Sequence, residues 1–480
     1  MAVNEASLEQ RLELLEKARA WSPRVVSKLE AHIRASDDEG LLRINPFQFA
    51  SQKNIAEHEA VDLLLYSASV GLFTMDWSLV CPTCSEVVES FKALRNIHAS
   101  FSCNLCRTNI ETTLDDLIHV TFTVSPSIRD IIFHRPAELS ARDYFFKYRF
   151  EPGAHYPDGL TFKEYLDSNG RIFETIPAGG TWSSRISVDK GWLVVSDLEN
   201  DTGWFLEVQE GSRGPANGPV RLEMKRNAKI SAGPVIHAGE LDLQIVNETQ
   251  TASRVFGFLE PPEPVPALLF GRVLTGKEVL GSQTFRDLFR SEVISSTEGL
   301  TVRDITILFT DLKGSTALYD RIGDLKAFAL VRQHFDTLGR VILAHDGAVV
   351  KTIGDAIMAS FLTPEKAVAA ARGLLEGIEG FNRNIGTRDF ILKIGIHRGA
   401  SIAVTLNDRL DYFGQMVNIA ARVQGLAEAD EICITEEVHN AGGVGPLLED
   451  FAVRQEVSML KGINERMAVY RLKQKKKVAS

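Results

Sequence analysis

From Thr301 onward the apolar residues change period in a set order, and few folds accept that order. Asp304 to Thr310 reads as an apolar strand that ends at Asp311. Leu325, Phe328, Val331, Phe335, Leu338 and Ile342 stripe one face of a helix. Gly347 to Phe361 reads as a hairpin turning around Ile353-Gly354-Asp355. Ala367, Ala371, Leu374, Leu375, Ile378 and Phe381 stripe a second helix, and Ile391 to Gly399 is another strand. Period 2 marks strands and period 3.6 marks helices. The resulting βαββαβ order implies a ferredoxin-like α/β sandwich over residues 301–475.

A chain of 480 residues is too long for one core, so further domains precede this one. Residues 1–38 read as helical, with Ser22-Pro23 as an interruption, and 41–78 as helices followed by a short strand. Segment 1–78 is therefore expected to be helical and winged-helix-like. Residues 79–110 hold two Cys-x-x-Cys pairs. Within 111–260, Val120–Val124, Gly191–Val195 and Leu241–Val246 alternate with turn-forming clusters, which predicts a β-rich, sandwich-like all-β module. Pro261-Pro262-Glu263-Pro264-Val265-Pro266 is a stiff break opening a linker, 261–300. Inside it Ser282–Ser291 predicts a short helix with Phe285, Leu288 and Phe289 on one face, suited to packing or to transmitting a signal. The chain as a whole is expected to be multi-domain α+β.

Charge and hydropathy exclude several functions. The formal charge is -10 and the pI near 5.7, so no global field draws the chain to nucleic acid or an anionic membrane. Leu41 to Ile110 holds five Lys/Arg and six Asp/Glu with no basic stripe, which argues against DNA binding by the N-terminal region. No stretch approaches the roughly 20 apolar residues that span a bilayer, and the N-terminus lacks a signal-peptide pattern. The expected compartment is the cytosol. Asn247-Glu248-Thr249, a formal glycosylation acceptor, is empty there.

In that compartment Cys81, Cys84, Cys103 and Cys106 predict a structural Zn²⁺ rather than disulfides. The two Cys-x-x-Cys pairs stand 18 residues apart, a zinc-ribbon spacing, and four thiolates close a tetrahedral site. The fifth cysteine, Cys433, reads as a buried strand residue.

The chemistry lies downstream. Asp311 follows a buried strand and Asp355 sits at a hairpin tip. Two hard carboxylates at neighbouring strand ends suit Mg²⁺ or Mn²⁺, with substrate phosphates completing the coordination. Either aspartate alone would be an ordinary turn carboxylate. The turn Leu312-Lys313-Gly314-Ser315-Thr316 offers backbone N–H groups to phosphates. Asn418 and Arg422, four apart in Met416 to Ala427, share one face of a helix.

Taken in order, Phe-Thr-Asp-Leu-Lys-Gly-Ser-Thr, Lys-Thr-Ile-Gly-Asp and Leu-Asp-Tyr-Phe-Gly-Gln-Met-Val-Asn-Ile-Ala-Ala-Arg make residues 301–472 similar to the catalytic domain of class III nucleotidyl cyclases. The resemblance implies two metal ions per site on Asp311 and Asp355, and a base reader made of Lys351 and Asp411. It implies that Asn418 orients the ribose and that Arg422 stabilises the pentacoordinate phosphorus. Lys461, in Met-Leu-Lys-Gly, aligns with a triphosphate-contacting lysine, although the Gly-Ile-Asn that follows departs from the family pattern. His397 is implied to be a strand residue rather than a general base.

Residue chemistry agrees with the base reader. Adenine offers an acceptor at N1 and a donor at N6, which a donor-only lysine and an acceptor-only carboxylate match. Guanine presents the opposite pattern, and guanylyl cyclases usually carry Glu in place of the Lys. The resemblance also implies composite sites, in which the aspartates of one chain face the Lys, Asp, Asn and Arg of another. The expectation is an adenylyl cyclase acting on ATP as a C2 homodimer. Its N-terminal region would answer to an unidentified ligand or protein. The alternatives are a non-catalytic nucleotide-sensing scaffold on a cyclase fold, or a guanylyl cyclase.

Overall fold

The computed structural model describes residues 2–475 apart from 104, 105, 107, 198–201, 211–218, 226–230, 264, 265, 295–298, 314–319, 322 and 461–465. The chain divides into two compact units. One comprises Met1–Ser90, Ser100–Glu111 and Thr121–Val273, and the other Phe91–Ala99, Thr112–Val120 and Leu274–Ser480. Among the described residues no helix is long and apolar enough to cross a membrane.

The first unit opens with helices Glu5–Ala18, Val25–Ala35, Pro46–Lys53 and Glu57–Ser69. Asn4 caps the first by accepting from the Ser7 N–H at 3.2 Å, and Leu8, Leu12 and Leu15 bury one stripe of it. The Ser22-Pro23 break falls between the first and second helices.

Two sheets follow. One has the strand order Ser231–Ala232, Thr202–Gln209, Gly191–Asp197, Ser253–Glu260 and Gly170–Ile176, with Ile236–His237 paired onto Thr202–Gln209. The other has the order Val220–Met224, Gly239–Asn247 and Thr181–Val188. Alternate residues of both meet in one core, with Leu193, Val195, Leu206 and Val255 from the first and Val188, Leu222, Leu241 and Leu243 from the second. Asn247 is fully buried, and its amide donates to the carbonyls of Ile176, Pro177 and Thr251 at 3.0, 3.1 and 2.8 Å.

The all-β expectation for this stretch needs correcting. Ala141–Tyr144, Phe145–Arg149 and Phe162–Asn169 are helical. Here Phe145, Phe150, Phe162 and Leu166 build an aromatic cluster of their own instead of alternating across a sheet. The local signal was the capping box Thr161-x-x-Glu164, in which Glu164 N–H donates to Thr161 Oγ1 at 3.2 Å and Thr161 N–H to Glu164 Oε2 at 2.9 Å.

In the second unit we label β1 (Leu300–Leu312), α1 (Asp324–Ala344), β2 (Ala348–Ile353), β3 (Ala356–Phe361), α2 (Pro364–Ile385) and β4 (Leu392–Leu406). They are followed by β5 (Arg409–Phe413), α3 (Gln415–Leu426), β6 (Glu431–Thr435), β7 (Phe451–Met459) and β8 (Arg466–Gln474). The sheet order is β2-β3-β1-β4-β6-β8-β7, with β5 paired to β4. Each neighbouring pair among β2, β3, β1 and β4 is antiparallel, so β1 runs parallel to β2 and β3 to β4. This is the order a βαββαβ chain adopts when each right-handed crossover leaves room for one strand between its ends.

Leu338 and Ile342 of α1 and Ala371 and Leu374 of α2 pack on Leu308, Ile357, Ile394 and Ile396. On the opposite face, α3 buries Ile419 and Val423 against Cys433 and Val469. That contact depends on Gly395 of β4, because a Cβ there would stand 2.1 Å from the Gln424 backbone nitrogen. Cys433 is fully buried in β6, and burial pushes its thiol up to about 12.

Candidate active site and thiol cluster

Asp311 lies near the end of β1, opposite Lys393 of β4. Asp355 lies in the two-residue turn joining β2 to β3, after Gly354 at φ +63. A glycine with positive φ at the first turn position is what a type II′ hairpin requires. Thr310 Oγ1 accepts from the Ile357 N–H at 3.0 Å, which ties the hairpin to the end of β1 and sets the two aspartates side by side. Burial, and then the charge of Asp355, push the Asp311 carboxyl above the usual carboxylate range, with Lys393 opposing. Asp355 Oδ2 is buried without a hydrogen-bond partner. A carboxylate pair whose burial and mutual repulsion outweigh Lys393 and the donors to Asp311, with one Asp355 oxygen left without a donor, fits a divalent cation.

Lys351 and Asp411 meet across β2 and β5. Lys351 Nζ lies 2.5 Å from Asp411 Oδ2, and Asp411 Oδ1 accepts from the Tyr412 N–H at 2.8 Å. The Asp411 side chain is 7% exposed and that of Lys351 35%. A bulge aims the lysine. Val349 pairs with Ala359 but Lys351 pairs with Met358, so Val350 is the extra residue. Val349 and Ala359 face the α1/α2 core, and the bulge turns Lys351 to the other face.

Two residues that the sequence reading passed over support this pair. Helix Gln283–Leu288 buries Phe285, which stacks on Phe289 at 5.1 Å. Gln283 Oε1 accepts from the Val349 N–H at 2.8 Å, on the edge strand that carries Lys351. Arg286 donates to the Leu410 carbonyl at 2.9 Å, next to Asp411, and to the Leu280 carbonyl at 2.8 Å. A cleft of about 240 Å³ opens beside Lys351, bordered by Gln283, Arg286, Arg409 and Leu410. The apolar face of this helix was visible in its residue order. Its polar partners, 66 and 124 residues further along the chain, were not.

Asn418 and Arg422 project from α3 one turn apart. Asn418 is exposed, whereas Arg422 Nη1 is buried without a partner. The charges that weigh most on Asp311 are Asp355 and Lys393 rather than Lys351 or Arg422. Within one chain the groups thus form an acidic pair, a Lys–Asp pair, and an arginine with an open valence. His397 is 5% exposed, its Nδ1 lies 2.9 Å from Thr435 Oγ1, and burial lowers its pKa, all of which suits a neutral strand residue. Gly314, Ser315, Thr316 and Lys461 lie outside the described residues.

In the first unit the Sγ atoms of Cys81, Cys84, Cys103 and Cys106 all lie within 4.8 Å of one another. Cys81 and Cys106 approach to 3.3 Å and Cys84 and Cys103 to 3.5 Å, beyond any S–S bond. Each pair hangs on a tight turn. Cys81 N–H donates to the Glu86 carbonyl at 2.9 Å, with Ser85 left-handed at φ 55, and Cys103 N–H donates to the Thr108 carbonyl at 3.0 Å. Thiols around one tetrahedral metal stand roughly 3.8 Å apart, so this group is a possible four-cysteine metal site. Hydrogen bonding centred on Cys103 lowers Cys81 to about 7, towards the thiolate that a metal needs. Glu86, fully buried, accepts from Cys103 Sγ at 3.1 Å and pairs with Arg149.

Comparison with known proteins also divides the chain in two, between residues 287 and 299. Residues 6–287 match the family of unknown function DUF5939, and residues 299–474 match the adenylate and guanylate cyclase catalytic domain. Adenylate cyclase of Anabaena cylindrica is 30% identical over 310 residues, covering 58% of this chain and 59% of that protein. Adenylate cyclase 1 of Rhizobium meliloti is 30% identical over 138 residues, covering 26% of this chain and 21% of that protein. The chain therefore spans less than two thirds of either relative. The crystal structure of the adenylyl cyclase CyaB from P. aeruginosa aligns at 22% identity and a TM-score of 0.33, over 38% of this chain and 100% of that one.

Proposed function

The chain belongs to the DUF5939 family through residues 6–287 and carries a class III nucleotidyl cyclase catalytic domain at 299–474, and from that premise we propose that it converts ATP to 3′,5′-cyclic AMP and pyrophosphate. The carrying observation is the Lys351–Asp411 pair. A group that only donates stands beside a group that only accepts, with Lys351 lining a cleft, and that pattern complements N1 and N6 of adenine. Guanine would leave both charges unmatched.

In the reaction the ribose 3′-oxygen attacks the α-phosphorus, the bond to the bridging β-phosphate oxygen breaks, pyrophosphate leaves and the 3′-hydroxyl proton is released. Bound at Asp311 and Asp355, two Mg²⁺ or Mn²⁺ ions would supply Lewis-acid activation and neutralise charge on the leaving group. Asn418 orients the ribose. Arg422 directs its open Nη1 at the charge that develops on the α-phosphoryl oxygens. Gly314, Ser315, Thr316 and Lys461 are assigned to the phosphates by sequence resemblance alone.

All six groups lie on one polypeptide, and two copies related by C2 symmetry would bring the aspartates of one to the Lys351–Asp411 pair and Arg422 of the other. The direct test is product formation by the full chain with Mn²⁺. Cyclic AMP should form from ATP, with GTP turned over orders of magnitude more slowly. No product from either nucleotide, in a chain shown to be dimeric, would instead mark a scaffold on a cyclase fold.

For the N-terminal region we read 1–78 as winged-helix-like, 79–110 as a zinc-ribbon-like module, 111–260 as a sandwich-like regulatory module and 261–300 as a linker with a transmitting helix. The thiol cluster supports Zn²⁺, and metal analysis should return one zinc per chain. A purified, cooperatively folded chain free of zinc would remove that assignment. The grip of Gln283 and Arg286 on the strands bearing Lys351 and Asp411 supports a transmitting role. Arg286→Ala should relax ATP-over-GTP selectivity by about tenfold, one hydrogen bond to a charged donor. Unchanged selectivity would reduce the helix to packing.

A further inference from the structure

The sheet that includes Gly191–Asp197, Thr202–Gln209 and Ser253–Glu260 is apolar on both faces. Leu193, Val195, Leu206, Val255 and Leu259 fill the core described above. The alternate residues build a second surface. Phe205, Val194 and Phe258 stand in one row across three strands, and Glu207, Trp192 and Glu260 stand in the next. Against that surface lies a cavity of about 880 Å³, within the first unit, with Tyr156 and Tyr165 on its far wall. Its volume falls in the range of pockets that hold small organic ligands, roughly 300–1,000 Å³.

The chemistry of the wall is specific. Seven aromatic rings, among them Tyr156, Tyr165, Trp192, Phe205 and Phe258, line the cavity together with one carboxylate, Glu260, and the thiols of Cys84 and Cys106. Among the described lining residues there is no Lys, Arg or His. Burial alone raises the Glu260 carboxyl, with no neighbouring cation to offset it. Tyr165 Oη is buried and has no hydrogen-bond partner, although its ring packs on Tyr156 at 5.3 Å. A cavity that served only as packing would not hold an uncompensated acid and an unmatched hydroxyl among aromatic rings.

We propose that this cavity binds an organic cation, a protonated or quaternary amine on an apolar body, with its charge between Glu260 and the Trp192 and Tyr165 rings. Aromatic faces attract such cations by their quadrupole, most strongly where water is excluded. The carboxylate supplies the counter-charge, and Glu207, beyond Trp192 in the same row, adds to the negative field. The apolar body would cover Phe205 and Phe258. An anion finds no Lys, Arg or His among the described lining residues.

The test uses the full chain and isothermal calorimetry, so its outcome is independent of whether the cyclase reading holds. The probe is 4-phenylbutyltrimethylammonium, compared with 4-phenylbutanol and 4-phenylbutanoate. The expected result is saturable binding at one site per chain, at least about tenfold tighter for the cation than for either comparison ligand. Glu260→Gln, which keeps the side-chain shape, should weaken the cation about tenfold or more and leave phenylbutanol unchanged. Trp192→Leu, at a position 39% exposed, should also weaken the cation and tests the site through a residue whose loss spares the fold. Absence of saturable cation binding up to about 1 mM in a folded chain would overturn the proposal. So would equal affinity for phenylbutanol or phenylbutanoate, or undiminished cation binding by Glu260→Gln and Trp192→Leu.

Discussion

Equal amounts of an Asp311→Ala chain and an Arg422→Ala chain, each expected to be inactive alone, should regain about a quarter of the wild-type cyclase rate when mixed. The figure follows from symmetry. Random pairing makes half of the dimers mixed, and each mixed dimer holds one site with both lesions and one with neither. Each single variant should fall by several orders of magnitude, because Asp311 is half of the proposed metal-binding pair and Arg422 Nη1 is buried with no hydrogen-bond partner. Full exchange of subunits is confirmed by mass, and rate is then read against mixing ratio. No recovery in a mixture that has exchanged would place the whole site within one chain.

Lys351→Ala should abolish the choice of base. A site built from one donor-only and one acceptor-only group rejects a mismatched nucleotide by roughly 10⁴–10⁵, because the mismatch strands buried charge. Without the lysine, Asp411 keeps only the Tyr412 N–H, and the ratio of kcat/KM for ATP over GTP should collapse towards one. The ATP value should fall about a hundredfold, and the rest of the collapse should appear as a rise in the GTP value, since the unmatched ammonium no longer opposes guanine. The stability loss should be modest, about 1–3 kcal/mol, since Lys351 is a third exposed and water can reach the carboxylate it leaves. Retained selectivity would show that the base is read elsewhere.

Much of the catalytic unit was legible in residue order. The periodicity of Asp304–Thr310, the α1 stripe and the Ile353-Gly354-Asp355 turn each carry a local signal, and each element stands where its period put it. The thiol cluster was legible because a metal knuckle is built within four residues. The helical stretch between Ala141 and Asn169 was misread because its phenylalanines follow no single period. They answer to a shared aromatic cluster, which is a tertiary fact. The Gln283 and Arg286 contacts escaped for a related reason, since polar side chains leave no periodic trace.

The kinds of chemistry available were decided by residue type, since donors, acceptors and hard carboxylates keep their character in any fold. Two aspartates suit a hard cation, a lysine beside an aspartate can match a base edge, and four cysteines suit a soft metal. Only the tertiary structure decided which of these groups meet. The bulge at Val350 turns Lys351 away from the helix layer and towards Asp411, 60 residues on. Register and bulges are set by non-local strand pairing, and one residue of slip sends a side chain to the opposite face. The same rule made one sheet of the N-terminal unit apolar on both sides, and so brought Glu260 into a wall of aromatic rings that no local pattern announces.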